Sequence, residues 1–268
     1  MSHLRAAIRA LSLCVMTFAL VAPLIAGLPL LLASRRARLR WRSFIFRNWA
    51  KAAAALLKVR IATQGTPPCA PFFLVANHLS YIDVIVLASQ LDCRFIARQD
   101  VSQWPVIGLL CRSVGTIFID RNNRRDLVRV NAQVARALAE GSGVVLFPEG
   151  TSSAGASVLP FKPGLLELAS RADFAVSYAA LSYRVADEEM PAHLSVCWWG
   201  HQHTDEMTFI KHLWRLLHVR EVYATLIFGR QTIRAADRKA LARQLHAAVE
   251  QQFIPVVNAE EEWNAAIQ

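Results

Sequence analysis

The stretch Pro71-Phe-Phe-Leu-Val-Ala-Asn-His-Leu-Ser-Tyr-Ile-Asp83 runs from a short apolar segment into a histidine and, five positions later, an aspartate. Pro71 to Ala76 is a short apolar run that reads as a buried strand. Asp83-Val-Ile-Val-Leu-Ala-Ser89 reads as the start of the next element. On one unbroken helix, positions i and i+5 lie about 140° apart, so His78 and Asp83 meet only if a turn intervenes or a helix begins inside the motif. His78 is thereby placed at a strand end, where chemistry-bearing side chains are commonly presented.

Two further strand ends follow in order. Gly115-Thr-Ile-Phe-Ile-Asp-Arg121 closes one, and Phe147-Pro-Glu-Gly-Thr151 closes another after Gly143-Val-Val-Leu146. Asn122 to Glu140 carries Leu127, Val130, Val134 and Leu138 on one face and stops at Gly141, a helix-terminating residue. Asp237 to Phe253 reads as a C-terminal helix, and residues 258–268 form an acidic tail. Strands alternating with helices predict an α/β fold, a mixed sheet flanked by helices.

These three ordered blocks resemble the glycerolipid acyltransferase family, which includes the 1-acylglycerol-3-phosphate and related lysolipid acyltransferases. That family carries N-H-x4-D, then G-x-x-F-I-D-R, then F-P-E-G-T, and the resemblance spans roughly residues 70 to 230. Two departures stand out. Ser152-Ser153 occupy positions where the family often has Arg-Ser, and a proline-containing strand expected near residue 177 reads Phe174-Ala-Val-Ser-Tyr-Ala-Ala180. Val158-Leu-Pro-Phe-Lys162, Trp198-Trp-Gly200, Met207-Thr-Phe209 and His212-Leu-Trp-Arg-Leu-Leu217 are similar to the lyso-ornithine-lipid branch of the family.

The resemblance implies direct acyl transfer from an acyl carrier protein or coenzyme A thioester to the hydroxyl of a lysolipid. Lyso-ornithine lipid is favoured over lysophosphatidate, because Ser152 removes a guanidinium that a phosphomonoester would use. His78 is the expected general base, with Asp83 fixing its tautomer and stabilising the imidazolium. Backbone N–H groups near Gly150 and Thr151 are candidates for the oxyanion. Arg121 resembles the family's anion-binding arginine, and its other reading is a solvated loop residue. Asn77, Glu149 and Lys162 complete the expected substrate contacts, although a structural role for Glu149 and a surface position for Lys162 are equally compatible with the sequence. No G-x-S-x-G elbow occurs, so an acyl-serine intermediate on that template is unsupported. A thioester is activated without a metal, and His201 and His203 lack a convincing third ligand. No resident cofactor is implied. A lipid-binding protein without catalytic activity is the contrasting class.

Composition bears on location. The chain has 268 residues, is 54% hydrophobic and 19% charged, and carries a net charge of +10. Its first acidic residue is Asp83, while eleven Lys and Arg precede it, so the excess belongs to the N-terminal third. Basic residues beside an apolar segment suit anionic lipid better than nucleic acid. Ala10 to Ser34 is uncharged, flanked by Arg5 and Arg9 before it and by Arg35, Arg36, Arg38, Arg40 and Arg42 after it. Its length fits a membrane-embedded helix, with Pro23 and Pro29 leaving a half-inserted form open and a cleaved signal peptide as the bland alternative. The heavier positive flank places the catalytic part at the cytoplasmic face of the inner membrane. Residues 41–58 read as an interfacial amphipathic helix with Trp41, Phe44, Ile45, Trp49, Ala52, Ala53 and Leu56 in its stripe, or as a helix packed on the catalytic part. The expected division is 1–62 for the anchor and 63–268 for the acyltransferase domain. Five cysteines without a C-x-x-C pair read as reduced and buried.

Overall fold

The computed structural model describes residues 2–20, 23, 35–120, 123, 125–171, 174–186, 191–198 and 208–257. Seven strands form one sheet: β1 (Val59–Gln64), β2 (Phe73–Ala76), β3 (Cys93–Arg98), β4 (Ile117–Ile119), β5 (Gly143–Leu146), β6 (Val176–Val185) and β7 (Val222–Phe228). Their order is β1-β7-β6-β2-β5-β3-β4. Only β6 and β7 run antiparallel; the other neighbours are parallel. The expected mixed α/β sheet is therefore present.

Burial explains which runs became central strands. Every residue of β2 and β5 is buried, as a strand covered by helices on both faces requires. In β7, Val222, Ala224, Leu226 and Phe228 are buried and alternate with half-buried neighbours. Eight α-helices of five residues or more are described: α1 (Ser2–Ala19), α2 (Arg35–Leu56), α3 (Ile82–Gln90), α4 (Ile107–Ser113), α5 (Asp126–Ala139), α6 (Glu167–Arg171), α7 (Phe209–His218) and α8 (Arg238–Gln252). One apolar layer joins α1, α2, α3 and α7 to one face of the sheet. The other joins α5, α6 and α8 to the opposite face. The two helices read from sequence near 122–140 and 237–253 are α5 and α8. Gly141, at φ 82°, ends the first, and the Asp237 carboxylate caps the second by accepting the Ala240 N–H at 2.7 Å.

The parallel arrangement positions the site. Val75 of β2 is in register with Leu146 of β5, and Phe95 of β3 with Val145, so these strands leave the sheet at one edge. β4 pairs parallel with β3, Arg98 opposite Ile119, and points its C-terminal end the same way. All three sequence blocks thus emerge together at the carboxyl edge, the usual place for a ligand crevice in such sheets.

The N-terminal third differs from expectation. Among the described residues no helix is long and apolar enough to cross a membrane. Residues 21–22 and 24–34 of the Ala10–Ser34 segment lie outside the described residues. α1 begins before that segment, and its arginines are not solvated flanks. The Arg9 guanidinium is buried and donates to the carbonyls of Leu217, Val219 and Arg220 at 3.1, 2.5 and 3.3 Å. Arg5 donates to the His218 carbonyl at 2.9 Å. Both therefore satisfy orphan carbonyls at the C-terminal end of α7, where a cation also meets the negative end of the helix dipole.

α2 packs on the same core through Ala50, Ala53 and Ala54, with Leu57 just past its end; of the expected stripe, Ile45 and Ala53 are buried and Trp49 half-buried, while Phe44 and Ala52 are exposed. Trp49 donates to the Thr17 hydroxyl of α1 at 3.3 Å and stacks on Phe46, while Trp41 donates to the Pro23 carbonyl at 3.0 Å. These tryptophans tie the N-terminal helices together. The expected 62/63 division runs through β1. All five cysteines are free, but Cys14 and Cys69 are exposed rather than buried.

Candidate active site

β2 ends at Ala76, and α3 starts at Ile82, so the chain turns inside the motif as the His–Asp spacing demands. Ser80-Tyr-Ile-Asp83 has the form of a capping box, in which an acid in the first helical turn reaches back to the chain before the helix. Asp83 does this with one oxygen. Its Oδ2 accepts the N–H of Leu79 at 2.7 Å and of Ser80 at 3.0 Å. The same oxygen lies 2.7 Å from His78 Nδ1. A carboxylate only accepts, so Nδ1 carries the proton and Nε2 is the basic nitrogen. His78 is partly exposed, whereas Asp83 is wholly buried.

Two residues absent from the expected set complete this pair. Tyr183 donates its hydroxyl to Asp83 Oδ1 at 2.7 Å. Burial first, then the Asp83 charge, holds that phenol well above its ordinary pKa, so it is a proton donor at neutral pH. Phe147 lies flat on the imidazole, ring centroids 4.2 Å apart and planes 16° off parallel. Phe147 was inside a quoted block and its apolar position at a strand end is a local signal. Tyr183 lies 100 residues from Asp83, with nothing local in the sequence to connect them.

The third block meets the first through Glu149. Its Oε1 accepts the His78 backbone N–H at 2.8 Å, and its Oε2 is buried with no hydrogen-bond partner. Burial pushes this carboxyl well above the usual range; the N–H groups of His78 and Leu159 oppose that, and the Asp83 charge adds to it. Ser153 N–H donates to the His78 carbonyl at 3.0 Å, a second backbone link between the blocks. Ser152 Oγ donates to the Trp198 carbonyl, and Trp198 N–H donates to the Leu79 carbonyl at 2.9 Å. Trp198 therefore bridges both loops, and its ring joins Tyr81, Trp104 and Phe209 in a half-buried aromatic cluster.

The remaining expected residues divide. Asn77 is buried and both ends of its amide are bonded to Leu181 of β6: Nδ2 to its carbonyl at 2.9 Å, and Oδ1 from its N–H at 2.7 Å. That amide is spent joining β2 to β6 rather than directed at a substrate. Gly150 has φ 75°, and its N–H donates to the Phe147 carbonyl at 3.2 Å. This bond closes a turn and occupies an N–H expected to face the oxyanion. A Cβ on Gly150 would sit 2.7 Å from Lys162 Nζ, so the lysine ammonium lies directly over this turn. Lys162 is thereby brought to the site, with its own N–H bonded to the Pro148 carbonyl at 2.9 Å. Thr151 is exposed at the rim. Arg121, His201 and His203 lie outside the described residues. Among those described, no group of three His, Cys, Asp or Glu is placed to hold a metal.

Fold and site together define a class: α/β proteins that present an oriented His–Asp base at the carboxyl edge of a largely parallel sheet. A family model described as Acyltransferase matches residues 58–182. The lyso-ornithine lipid O-acyltransferase of Brucella abortus is 33% identical over 223 residues, 78% of this chain and 81% of that protein. The chain belongs to the acyltransferase family. Lyso-ornithine lipid O-acyltransferase of Rhizobium meliloti is 38% identical over 135 residues, 50% of this chain and 46% of that protein. 1-acyl-sn-glycerol-3-phosphate acyltransferase of Neisseria gonorrhoeae is 36% identical over 135 residues, 50% and 53%. In these two matches the chain spans about half the length of the relative. The crystal structure of the 1-acyl-sn-glycerophosphate (LPA) acyltransferase from Thermotoga maritima superimposes with a TM-score of 0.56 over 92% of this chain and 97% of that one. At 19% identity this likeness concerns the fold alone.

Proposed function

We propose that this chain is a membrane-associated O-acyltransferase that moves a fatty acyl group from an acyl carrier protein or coenzyme A thioester to the free hydroxyl of a lysolipid, with lyso-ornithine lipid the favoured acceptor. The observation that carries this reading is the His78–Asp83 pair, whose Nδ1–H is committed to a buried carboxylate and whose Nε2 is left as base. The acceptor hydroxyl gives its proton to Nε2 as its oxygen bonds to the thioester carbonyl carbon. The tetrahedral intermediate then collapses, the C–S bond breaks, and the thiolate takes the proton back from the imidazolium. Asp83 remains ionised and holds the cation that forms. Phe147 covers one imidazole face and limits its motion. The Lys162 ammonium over the Gly150 turn is the described cation best placed to meet an anionic headgroup or the developing oxyanion.

Ser152 supports the acceptor preference, because its hydroxyl closes the loop onto Trp198 and supplies no positive charge. Lysophosphatidate is the second reading, favoured by Lys162. Membrane association rests on α1. Leu4, Ile8, Leu11, Val15 and Phe18 are all exposed along one stripe, while Ala6 and Arg9 on the other face are buried. Ile210 and Trp214 of α7 are exposed as well. A stripe of this kind lies in a bilayer interface, and the arginine-rich start of α2 suits the anionic cytoplasmic leaflet of the inner membrane.

The test is acyl transfer by wild type and His78→Ala in phospholipid vesicles, with acyl carrier protein and coenzyme A donors and both lysolipids as acceptors. Wild type is expected to transfer, with higher kcat/KM for lyso-ornithine lipid, and His78→Ala to lose the activity. A wild type that transfers to neither acceptor refutes the function. A preference for lysophosphatidate reverses the acceptor ranking.

A further inference from the structure

Asp83 is wholly buried, and its two oxygens are used unequally. Oδ2 gathers three donors: His78 Nδ1–H at 2.7 Å, Leu79 N–H at 2.7 Å and Ser80 N–H at 3.0 Å. Oδ1 takes the Tyr183 hydroxyl at 2.7 Å. The first three donors all come from the chain just before α3, so they fix one oxygen and leave the carboxylate able to turn about it. Tyr183 comes from β6, on the far side of the carboxylate in sequence, and is itself buried. β6 is anchored to the same loop by Asn77, whose amide is bonded at both ends to Leu181, two residues before Tyr183. The phenol is thus mounted on a strand whose position relative to His78 is fixed.

We propose that Tyr183 is a positioning residue of this site: by holding Asp83 Oδ1, its hydroxyl aims Oδ2 at His78 Nδ1 and sets how strongly the carboxylate draws the imidazole proton. The inference rests on the reading of His78 as the reaction's base. The other titratable groups around the carboxylate are His78 itself, Glu149 from the loop after β5, and Cys197 beside the phenol. A carboxylate in a dry interior that loses one hydrogen-bond donor becomes a stronger base. It then stabilises the imidazolium more, and a lower proton activity is needed to free Nε2.

Tyr183→Phe removes one oxygen and keeps the ring, so it tests the hydroxyl rather than the packing. Two readouts are taken on the full chain, thermal stability being measured alongside. The first follows the His78 imidazole by NMR as pH is varied, which needs no turnover. The second is the pH profile of acyl transfer. In Tyr183→Phe the imidazole titration and the acid limb of kcat/KM are both expected to move up by about half a pH unit or more. At a pH below both midpoints kcat/KM therefore falls about 3-fold relative to wild type, while the KM for acceptor stays within about twofold, as for a residue acting through another. Trifluorotyrosine at position 183, a stronger donor of nearly the same shape, moves both midpoints the other way. It also decides the matter if the phenylalanine variant does not fold. A purely structural tyrosine lowers stability without moving either midpoint, and that result overturns the proposal. If wild type proves inactive toward every acceptor, the function fails, yet the NMR titration still tests the coupling of Tyr183 to His78.

Discussion

Asp83→Asn removes the charge of the proposed catalytic pair while leaving most of its geometry, and the structure sets how much that costs. The amide can place its oxygen where Oδ2 now accepts from Leu79, Ser80 and His78, and its NH2 toward Tyr183, whose hydroxyl can turn to accept. The two backbone N–H groups enforce this orientation, because an NH2 facing them would leave three donors pointing at one another. The Nδ1–H tautomer is thus retained, and the lost quantity is the attraction between the carboxylate and the imidazolium that forms during transfer. At 2.7 Å this is worth about 6 kcal/mol with an effective dielectric of about 20. Partial exposure of His78 and the remaining amide dipole recover about half, which leaves about 3 kcal/mol, or a fall in kcat of about 100-fold. The assay is steady-state transfer in vesicles, with thermal unfolding in parallel. A fall of less than about 10-fold, or one confined to KM, refutes the assignment of Asp83 as the residue that stabilises the imidazolium.

The other perturbations act on neighbouring parts. Burial holds the Glu149 carboxyl above its ordinary value of 4.5, so the folded state binds its proton more tightly than the unfolded chain does. The stability it contributes is present below pH 4.5 and is lost as pH rises through the folded value; Glu149→Gln, whose amide stays neutral, should flatten this dependence and raise the Tm at pH 8 relative to wild type, as thermal scans across pH would show. Gly150→Ala combines a left-handed backbone with a Cβ 2.7 Å from Lys162 Nζ; stability should drop by about 1–2 kcal/mol and transfer should fall because the ammonium is displaced, read from unfolding and kcat/KM together. Arg9→Met strips three carbonyls at and just past the end of α7 of their donor, which should cost about 2–4 kcal/mol and make residues 2–20 more susceptible to proteolysis, whereas unchanged stability would show that α1 is held by apolar contacts alone.

Much of the fold was legible because its signals are local. β2 and β5 are short, wholly apolar and closed by turn residues; α5 ends on Gly141 and α8 starts on Asp237. The His–Asp geometry was legible for the same reason, since a helix beginning inside the motif is the one simple way to bring the two side chains together. Tyr183 was not, because it meets Asp83 only through the β2–β6 pairing, and long-range strand order leaves no trace in spacing. Asn77 and Gly150 show a different limit. Their residue types suit substrate contact, but an amide or N–H is available only if the fold leaves it unpaired, and here Leu181 and Phe147 take them. The N-terminal arginines were read as flanks of an apolar segment because composition does not reveal where a helix starts. Once α1 begins at Ser2, Arg9 falls on its inner face, and the C-terminal carbonyls of α7 supply partners that let a guanidinium be buried.

The exposed apolar stripes of α1 and α7 and the His78–Asp83 site are joined in one hydrogen-bonded assembly. Arg5 and Arg9 fasten α1, with its exposed apolar stripe, to the last carbonyls of α7. Within α7, buried His212 has Nδ1 3.0 Å from the Tyr81 hydroxyl and Nε2 3.1 Å from the Cys197 carbonyl. An acceptor carbonyl fixes the proton on Nε2, so Tyr81 donates to Nδ1. Tyr81 is one of the four residues between His78 and Asp83, and its ring packs on Phe209 at the start of the same helix. α7 therefore carries exposed Ile210 and Trp214 on one side and steadies the turn that holds His78 on the other. A helix with both duties holds the base at a fixed depth relative to the apolar surface. Under the proposed function that is a useful constraint, because the acceptor hydroxyl of a lysolipid sits a fixed distance above its own acyl chain.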